Sequence, residues 1–263
     1  MTDRPNVAPY DEAAVLIAGG TSGVGLASAR GFLAAGVRRL ALLARTQERG
    51  LAARDELRSL EPQAQIEFVR CDASQPDQVQ QGVGEAHRLL GGLDVVVSST
   101  TASYRPELLV RTPYDDMAGI LLGQALPPML LTRAAMPLLA EQGGGSIVTI
   151  ASDAAKVATP GEAVLGGAMA AIVMFTRVAA LEGKRAGVRC NVLTPSLIAG
   201  TPTAENVLRD GFSKTLFERA AAQAHLGVAE PEDQAALVVF LGGPGSARLT
   251  GQAISVNGGI SAA

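Results

Sequence analysis

The chain has 263 residues, of which 48% are hydrophobic and 18% charged, with a formal net charge of -3. This size allows one large α/β domain with a substantial core, and the acidic balance leaves no basic surface for nucleic acid. The two cysteines and two histidines do not form a cluster with zinc-ligand spacing, so we predict no metal site. Cys71 and Cys190 are predicted to be buried, reduced thiols of a cytoplasmic protein.

The chain begins with a polar segment. Residues 1–11 contain proline and lack a positively charged start followed by an apolar run, so we predict a tail and no signal peptide. We also predict no membrane span, because no apolar run reaches the length that a bilayer requires.

Short apolar runs then alternate with longer, alanine-rich stretches. The runs predicted as strands are Ala13–Ala18, Leu40–Ala44, Ile66–Val69, Val95–Ser98, Ser146–Ile150, Val188–Leu193 and Ala253–Val256. The stretches predicted as helices are 24–35, 47–60, 76–90, 113–140, 162–183 and 231–241. Apolar strands separated by helices predict a doubly wound α/β (Rossmann) fold, with a parallel sheet of about seven strands.

No repeat or linker divides this pattern, so residues 1–263 are predicted to form a single domain. The stretch 195–226 is less regular than the rest. In such a fold it would form a lid over the carboxyl ends of the strands, where ligands bind.

A glycine-rich loop joins the first strand to the first helix. Glycines allow close approach of the backbone to a pyrophosphate, and the helix N-terminus supplies N–H donors. A glycine turn that only packs the helix on the sheet is the alternative. The predicted cofactor contacts of this loop are Gly19, Thr21, Ser22, Gly23, Val24 and Gly25.

The end of the second strand indicates which dinucleotide binds. An acidic residue there would bond the adenosine ribose, but the sequence reads Leu43-Ala44-Arg45-Thr46. Arg45 can pair with a 2′-phosphate, which favours NADP(H) over NAD(H). Asp72, after the third strand, either accepts a hydrogen bond from the adenine amino group or caps a turn beside Ser74.

These motifs resemble the single-domain branch of the short-chain dehydrogenase/reductase (SDR) family, over roughly residues 12–260. The resemblance rests on the glycine loop with Ala18 in place of its Thr, and on Asp72, Asp94, Arg189–Pro195 and Leu249–Gly259. It implies oxidoreduction of a small carbonyl or alcohol and adds Ser98, Pro195 and Ile198 as cofactor contacts. It also implies a homotetramer or homodimer built through the helices at 113–140 and 162–183.

The reaction site departs from the family pattern. Leu165 and Met169 stand where the resemblance places the Tyr and Lys of the proton-transfer pair. In the family, a Lys one helical turn from the Tyr favours phenolate and brings its pKa toward neutrality. Leu and Met neither donate nor accept a proton, and at i and i+4 they form one apolar patch.

Other family positions are retained or changed one by one. Ser152 matches the catalytic Ser, and Gln124 stands in place of the active-site Asn. After the fourth strand, Ser98–Thr101 replaces Asn-Asn-Ala-Gly, and Tyr104 beyond it is a candidate proton donor, with packing as its alternative. Lys156 and Asp153 could form a substitute acid/base pair, or they could be a solvated or ion-paired turn. Glu162 could act as a base, or it could stabilise the N-terminus of the helix that follows.

Residues Ala151–Val157 and Gly161–Val164 resemble an SDR subgroup that includes dehydrogenases of alicyclic hydroxyacyl-CoA thioesters. That resemblance implies an acyl-CoA or similar acyl substrate.

Two hypotheses follow. The first is an NADP(H)-dependent oxidoreductase with atypical proton delivery through Ser152, water or Tyr104. The second is a non-redox descendant, either a cofactor-binding pseudoenzyme, an enzyme of another reaction, or the partner subunit of an active SDR homologue.

Overall fold

A computed structural model describes residues 7–207 and 211–262. Within them, a seven-stranded parallel sheet has the order β3-β2-β1-β4-β5-β6-β7, which confirms the predicted doubly wound fold. The strands are β1 Ala14–Ala18, β2 Arg39–Ala44, β3 Gln65–Arg70, β4 Val95–Ser98, β5 Gly145–Ile150, β6 Val188–Leu193 and β7 Ala253–Ile254. The helices are α1 Gly23–Ala34, α2 Gln47–Leu60, α3 Pro76–Leu90, α4 Tyr114–Glu141, α5 Ala163–Gly183, α6 Pro202–Val207, α7 Gly211–Gln223 and α8 Pro231–Gly242.

The core lies on both faces of the sheet. Along β1, Leu16 packs toward the layer of α3, α4 and α5, whereas Ile17 packs toward α1, α2 and α8. Both side chains are fully buried, as are Leu131 of α4 and Phe32 of α1. Burial on both faces is the reason that the strands read as continuous apolar runs in the sequence.

The lid-like stretch differs from its prediction. It contains two helices, α6 and α7, whereas the sequence predicts an irregular segment there; residues 208–210 lie outside the described part of the chain. Most residues of α7 are exposed or half-buried, with Ser213 buried, so this helix lies at the surface of the described structure.

The α5 helix also corrects a prediction. Together with the turn that follows it, Ala163–Ala186 is long and apolar enough to cross a membrane, with a mean hydropathy of 1.9 over an 18-residue window. The statement that no apolar run has this length is therefore wrong. One face of α5 packs against β6 and α4, with Ile172 and Ala168 buried, as expected for the core helix of a globular domain.

The two cysteines are buried and free, as predicted. Burial raises the pKa of Cys71 to about 11 and that of Cys190 to about 12. Both thiols are therefore protonated at neutral pH and act as small apolar side chains.

Candidate functional site at the carboxyl ends of the strands

The glycine loop is folded tightly against its neighbours. Gly19 has a φ of 78°, and a Cβ there would lie 2.4 Å from the carbonyl oxygen of Ser99. A Cβ at Gly25 would lie 2.2 Å from the carbonyl oxygen of Gly19. Neither position has room for a side chain, because the loop, the first turn of α1 and the loop after β4 meet there.

The start of α1 is suited to an anion. Ser22 occupies the N-cap in an extended conformation, and among the described contacts its side chain makes no capping hydrogen bond. Thr21 is half-buried and Ser22 exposed, whereas Val24 and Gly25 are buried. The N–H groups of the first turn, starting at Gly23, thus keep their donor capacity for a phosphate oxygen.

Two arginines and a carboxylate lie at the carboxyl ends of β2 and β3. Arg45 is exposed directly after β2, and Arg70 at the end of β3 donates from Nε to the Arg45 carbonyl oxygen over 3.2 Å. Asp72 Oδ1 accepts hydrogen bonds from Ser74 N at 3.0 Å and Ser74 Oγ at 2.8 Å. These bonds, assisted by Arg45, lower the pKa of Asp72. The contacts correspond to the turn-capping interpretation of Asp72.

The loop after β4 is held by Gln124. The Gln124 carboxamide is buried, donates to the Ala102 carbonyl oxygen at 3.0 Å, and accepts from Thr101 Oγ1 at 3.2 Å. Ser98 is buried, with its Oγ 3.4 Å from Thr100 Oγ1. In this structure, Gln124 thus positions the loop with its hydrogen bonds.

Ser152 follows β5 and caps a short turn. Its Oγ accepts from Ala154 N at 3.3 Å, and the next N–H, of Asp153, donates to the Pro195 carbonyl oxygen at 2.7 Å. Pro195 is buried, while Ile198 is half-buried and pairs with Ala229 in an isolated bridge. The structure therefore brings Ser152 next to the segment that leaves β6.

Behind Ser152, a buried polar network ties this turn to the end of the chain. Asp153 accepts hydrogen bonds from Ser255 Oγ at 3.2 Å, from Asn257 Nδ2 at 3.1 Å and from Ser261 Oγ. Lys156 Nζ donates to Ser255 Oγ at 2.7 Å and lies 4.0 Å from Asp153 Oδ1. The sequence analysis anticipated the Lys156–Asp153 pairing but missed the C-terminal residues, which are about a hundred positions away in the chain.

Leu165 and Met169 lie in a buried apolar cluster. Both are buried on α5, packed with Ala168, Ile172 and the partly buried Tyr104. The Tyr104 hydroxyl donates to the Gly161 carbonyl oxygen at 2.5 Å, and burial raises the pKa of Tyr104 to about 12. The phenol is therefore protonated and already engaged in a structural hydrogen bond.

Glu162 stands at the start of α5. Its side chain is buried, and Glu162 occupies the N-cap of α5 without a capping hydrogen bond from its carboxylate to the described helix. Burial raises the pKa of Glu162 to about 7, a hydrogen bond with Thr159 opposes the shift, and the negative charge of Asp153 adds to it. A carboxyl whose pKa is raised by burial and by Asp153 of the Ser152 turn is a functional candidate.

Thr201 is a further residue that the sequence analysis missed. Thr201 lies against Gly23: a Cβ built on Gly23 would be 3.6 Å from Thr201 Cγ2. The Thr201 hydroxyl accepts from Ala204 N at 3.1 Å and donates to the Ile198 carbonyl oxygen at 3.0 Å. An open cleft of about 330 Å³ runs beside this contact, from Gly23 to Glu230. Thus, the lid-like segment reaches the glycine loop.

Comparison with known proteins adds a family context. The profile of a family described as enoyl-(acyl carrier protein) reductase matches residues 18–261. The uncharacterized oxidoreductase MT0954 of Mycobacterium tuberculosis is 33% identical over 251 residues, which cover 95% of this chain and 92% of that protein. The (3R)-3-hydroxyacyl-CoA dehydrogenase of Mus musculus is 29% identical over 258 residues, covering 94% and 96%, respectively.

Solved structures are similar over the same extent. A short-chain type dehydrogenase/reductase from Mycobacterium ulcerans superposes with a TM-score of 0.88 at 25% identity, covering 96% of this chain and 91% of that one. A dehydrogenase/reductase from Sinorhizobium meliloti gives a TM-score of 0.83 at 26% identity, covering 96% and 98%. The glycine loop and the Ser152 turn both fall within residues 18–261, which the family profile matches.

Proposed function

The chain belongs to the short-chain dehydrogenase/reductase family of oxidoreductases, and from this premise we propose that it binds NADP(H) and interconverts a carbonyl and an alcohol on an acyl-thioester substrate. The observation that carries the proposal is the tight glycine loop, in which neither Gly19 nor Gly25 has room for a Cβ. Beside it, the uncapped first turn of α1 offers N–H donors to a pyrophosphate. When bound, the cofactor would supply two electrons and a hydrogen to the substrate carbon.

The preference for NADP(H) rests on charge at the end of β2. Arg45 is exposed there, and Arg70 bonds its carbonyl oxygen, so two cations near the end of β2 could pair with a 2′-phosphate. Ser98, Pro195 and Ile198 are proposed to line the nicotinamide half of the site, with Thr21, Ser22, Gly23 and Val24 at the pyrophosphate.

The test is a titration of the purified protein with NADPH and NADH, followed by thermal stability and nicotinamide fluorescence. We expect tighter binding of NADPH, and Arg45→Gln should weaken NADPH binding about tenfold while leaving NADH unchanged. Arg88→Gln, an exposed position on α3, is the matched control. Binding of neither cofactor would refute the proposal.

The acyl-thioester assignment rests on the resemblance around Ala151–Val157 and on the mouse relative, whose name states a 3-hydroxyacyl-CoA substrate. A panel of 3-ketoacyl-CoA thioesters and alicyclic ketones, assayed for NADPH oxidation, tests it. Turnover of simple ketones but not of thioesters would refute the acyl-thioester assignment and indicate a ketone substrate.

A second candidate function is cofactor binding without redox turnover, in a pseudoenzyme or in the partner subunit of an active homologue. The apolar cluster around Leu165 and Met169 favours it, because neither residue exchanges protons. Cofactor binding without turnover, followed by gain of reductase activity in Leu165→Tyr/Met169→Lys, would support this function. NADPH oxidation that depends on Ser152 would exclude it.

We further propose a cytoplasmic homotetramer or homodimer with a small-molecule substrate and no nucleic-acid or membrane partner. Large apolar side chains are exposed on both long helices, including Leu122 on α4 and Met174 and Leu181 on α5. Such faces are suited to contact between subunits, either with a second copy or with a homologue.

A further inference from the structure

The C-terminal segment, residues 255–261, lies beside the start of the lid-like stretch 195–226. Thr194 is fully buried directly after β6, and its N–H donates to the Ile254 carbonyl oxygen at 2.8 Å. The Thr194 hydroxyl oxygen lies 3.0 Å from Ser255 Oγ, within hydrogen-bond distance. One backbone bond and one side-chain bond thus join the exit of β6 to the residues at and after the end of β7.

The same segment also holds the other end of the lid-like stretch. The Leu226 N–H donates to the Gly258 carbonyl oxygen at 3.0 Å. Gly258 has a φ of 66°, and a Cβ there would lie 1.8 Å from the carbonyl oxygen of Gly227, so the two backbones are in direct contact. One short piece of chain therefore bonds the lid-like stretch where it begins and where it ends.

Asp153 anchors the C-terminal segment to the turn that begins at Ser152. The Asp153 side chain is 5% exposed and accepts hydrogen bonds from Ser255 Oγ at 3.2 Å, from Asn257 Nδ2 at 3.1 Å and from Ser261 Oγ. Asn257 is equally buried, and its Nδ2 also lies 3.0 Å from Ser261 Oγ. Because these groups satisfy one another away from water, removal of the carboxyl would leave buried donors without an acceptor.

The Asp153 backbone links this anchor to the candidate site. Its N–H donates to the Pro195 carbonyl oxygen at 2.7 Å. The residue before it is Ser152, whose Oγ accepts from Ala154 N at 3.3 Å. Asp153 therefore bonds the C-terminal segment through its side chain and the segment that leaves β6 through its backbone. Both Ser152 and Pro195 depend on where this one residue is held.

The network is separate from the adenosine half of the proposed cofactor site. In the sheet, β5, β6 and β7 lie on one side of β1, and β2 and β3 lie on the other. Arg45, the proposed partner of the 2′-phosphate, follows β2, and the Gly19 N–H donates to the Leu43 carbonyl oxygen in β2 at 2.9 Å. A disturbance at Asp153 should therefore reach one half of a bound dinucleotide and spare the other.

We propose that the C-terminal segment, anchored on Asp153, positions the nicotinamide half of the cofactor site. The inference rests on the proposed cofactor-binding function, which assigns Pro195 to that half. Asp153 and Asn257 are positioning residues that act through the backbone at Ser152 and Pro195. A site whose walls are already held in place binds more tightly, because less conformational freedom is lost when the ligand enters.

The test compares the binding of NADPH with that of adenosine 2′,5′-bisphosphate, which carries the adenosine half alone. Isothermal titration calorimetry follows both ligands with the wild-type protein, Asp153→Ala and the control Asp77→Ala, which removes an exposed carboxylate on α3. We expect Asp153→Ala to raise the dissociation constant of NADPH about tenfold and that of the bisphosphate by less than about twofold. A residue that contributes only to overall stability would not separate the two ligands in the folded protein.

A milder second variant is Ser261→Ala, which deletes one donor to Asp153 at a partly exposed position. It should raise the NADPH dissociation constant about threefold and leave binding of the bisphosphate unchanged. Added to Asp153→Ala, it should have no further effect, because the bond that it removes is already lost. Circular dichroism establishes that each variant is folded, and Ser261→Ala alone decides the comparison if Asp153→Ala does not fold.

Two results would overturn the inference: unchanged NADPH binding in the folded variants, or equal weakening of NADPH and the bisphosphate. In both cases the wild-type protein still binds the cofactor, so the proposed function would stand. A wild-type protein that binds neither NADPH nor NADH would remove the proposed function and this inference together.

Discussion

At the scale of single residues, buried polar side chains hold the site in shape. Gln124 spans from α4 to the loop after β4, bonding Thr101 and both backbone groups of Ala102. This buried carboxamide acts as a clamp, meaning that its hydrogen bonds hold the loop after β4 in place. Removal of the carboxamide leaves the N–H and C=O of Ala102 without these hydrogen bonds to Gln124.

We therefore expect Gln124→Leu to lower the free energy of unfolding by about 2 kcal/mol. Urea denaturation measures the loss, and Gln81→Leu, at an exposed position of α3, should change stability by less than about 0.5 kcal/mol. Equal stability of the two variants would mean that the clamp has no energetic role.

Glu162 makes stability depend on pH in a predictable direction. Its pKa in the folded chain, about 7, exceeds the ordinary value of the unfolded chain, so the folded state retains a proton that the unfolded state releases. This contribution is fully present below about pH 4 and is lost as the pH rises through about 7.

Relative to Glu162→Gln, the wild-type protein should therefore lose on the order of 3 kcal/mol of unfolding free energy between pH 4 and pH 8. Urea denaturation of both proteins at the two pH values isolates the effect, because all other titrating groups are shared. A difference that is constant with pH would contradict the shifted pKa.

At the scale of elements, the position of α1 depends on a missing side chain. Gly25 lies in the first turn of α1, and a Cβ there would be 2.2 Å from the Gly19 carbonyl oxygen. The helix and the loop cannot both keep their places if that atom is present, so the N–H donors at the helix start would shift from their position.

Gly25→Ala is expected to cost about 2–3 kcal/mol of unfolding free energy and to abolish NADPH binding. The matched control is Gly84→Ala on α3, where a Cβ would meet no atom within 4 Å. Because alanine favours helix over glycine, this control should gain about 0.5–1 kcal/mol. Circular dichroism during urea denaturation, together with nicotinamide fluorescence, measures both effects.

At the scale of the whole molecule, apolar surface remains on the two longest helices. Met174 and Leu181 of α5 have 57% and 62% of their surfaces exposed, respectively, although the opposite side of that helix is in the core. A soluble chain that exposes such residues on neighbouring helices is expected to cover them by association.

We expect the protein to sediment as a dimer or tetramer, and Met174→Glu/Leu181→Glu to sediment as a smaller species. Leu60→Glu is the control, since Leu60 is 59% exposed but lies on α2. Sedimentation velocity separates these states. A monomeric wild-type protein would refute the proposed assembly.

The sequence by itself determined the order of strands and helices, the parallel sheet and the glycine loop. These features depend on periodicity and on residues close together in the chain, such as Gly19 and Gly25, so local chemistry is sufficient to predict them. The helices of the lid-like stretch were missed, although Phe212, Leu216 and Ala220 stand at the spacing of one helix face.

Only the tertiary structure decided which polar groups from distant parts of the chain meet. Asp153 bonds Asn257 and Ser261, about a hundred residues later, and no local pattern encodes such a contact. Glu162 occupies the N-cap of α5, where its place in the sequence puts it. The pKa of its carboxyl is raised mainly by burial and further by Asp153, because the free energy of a charge depends on the groups around it in space.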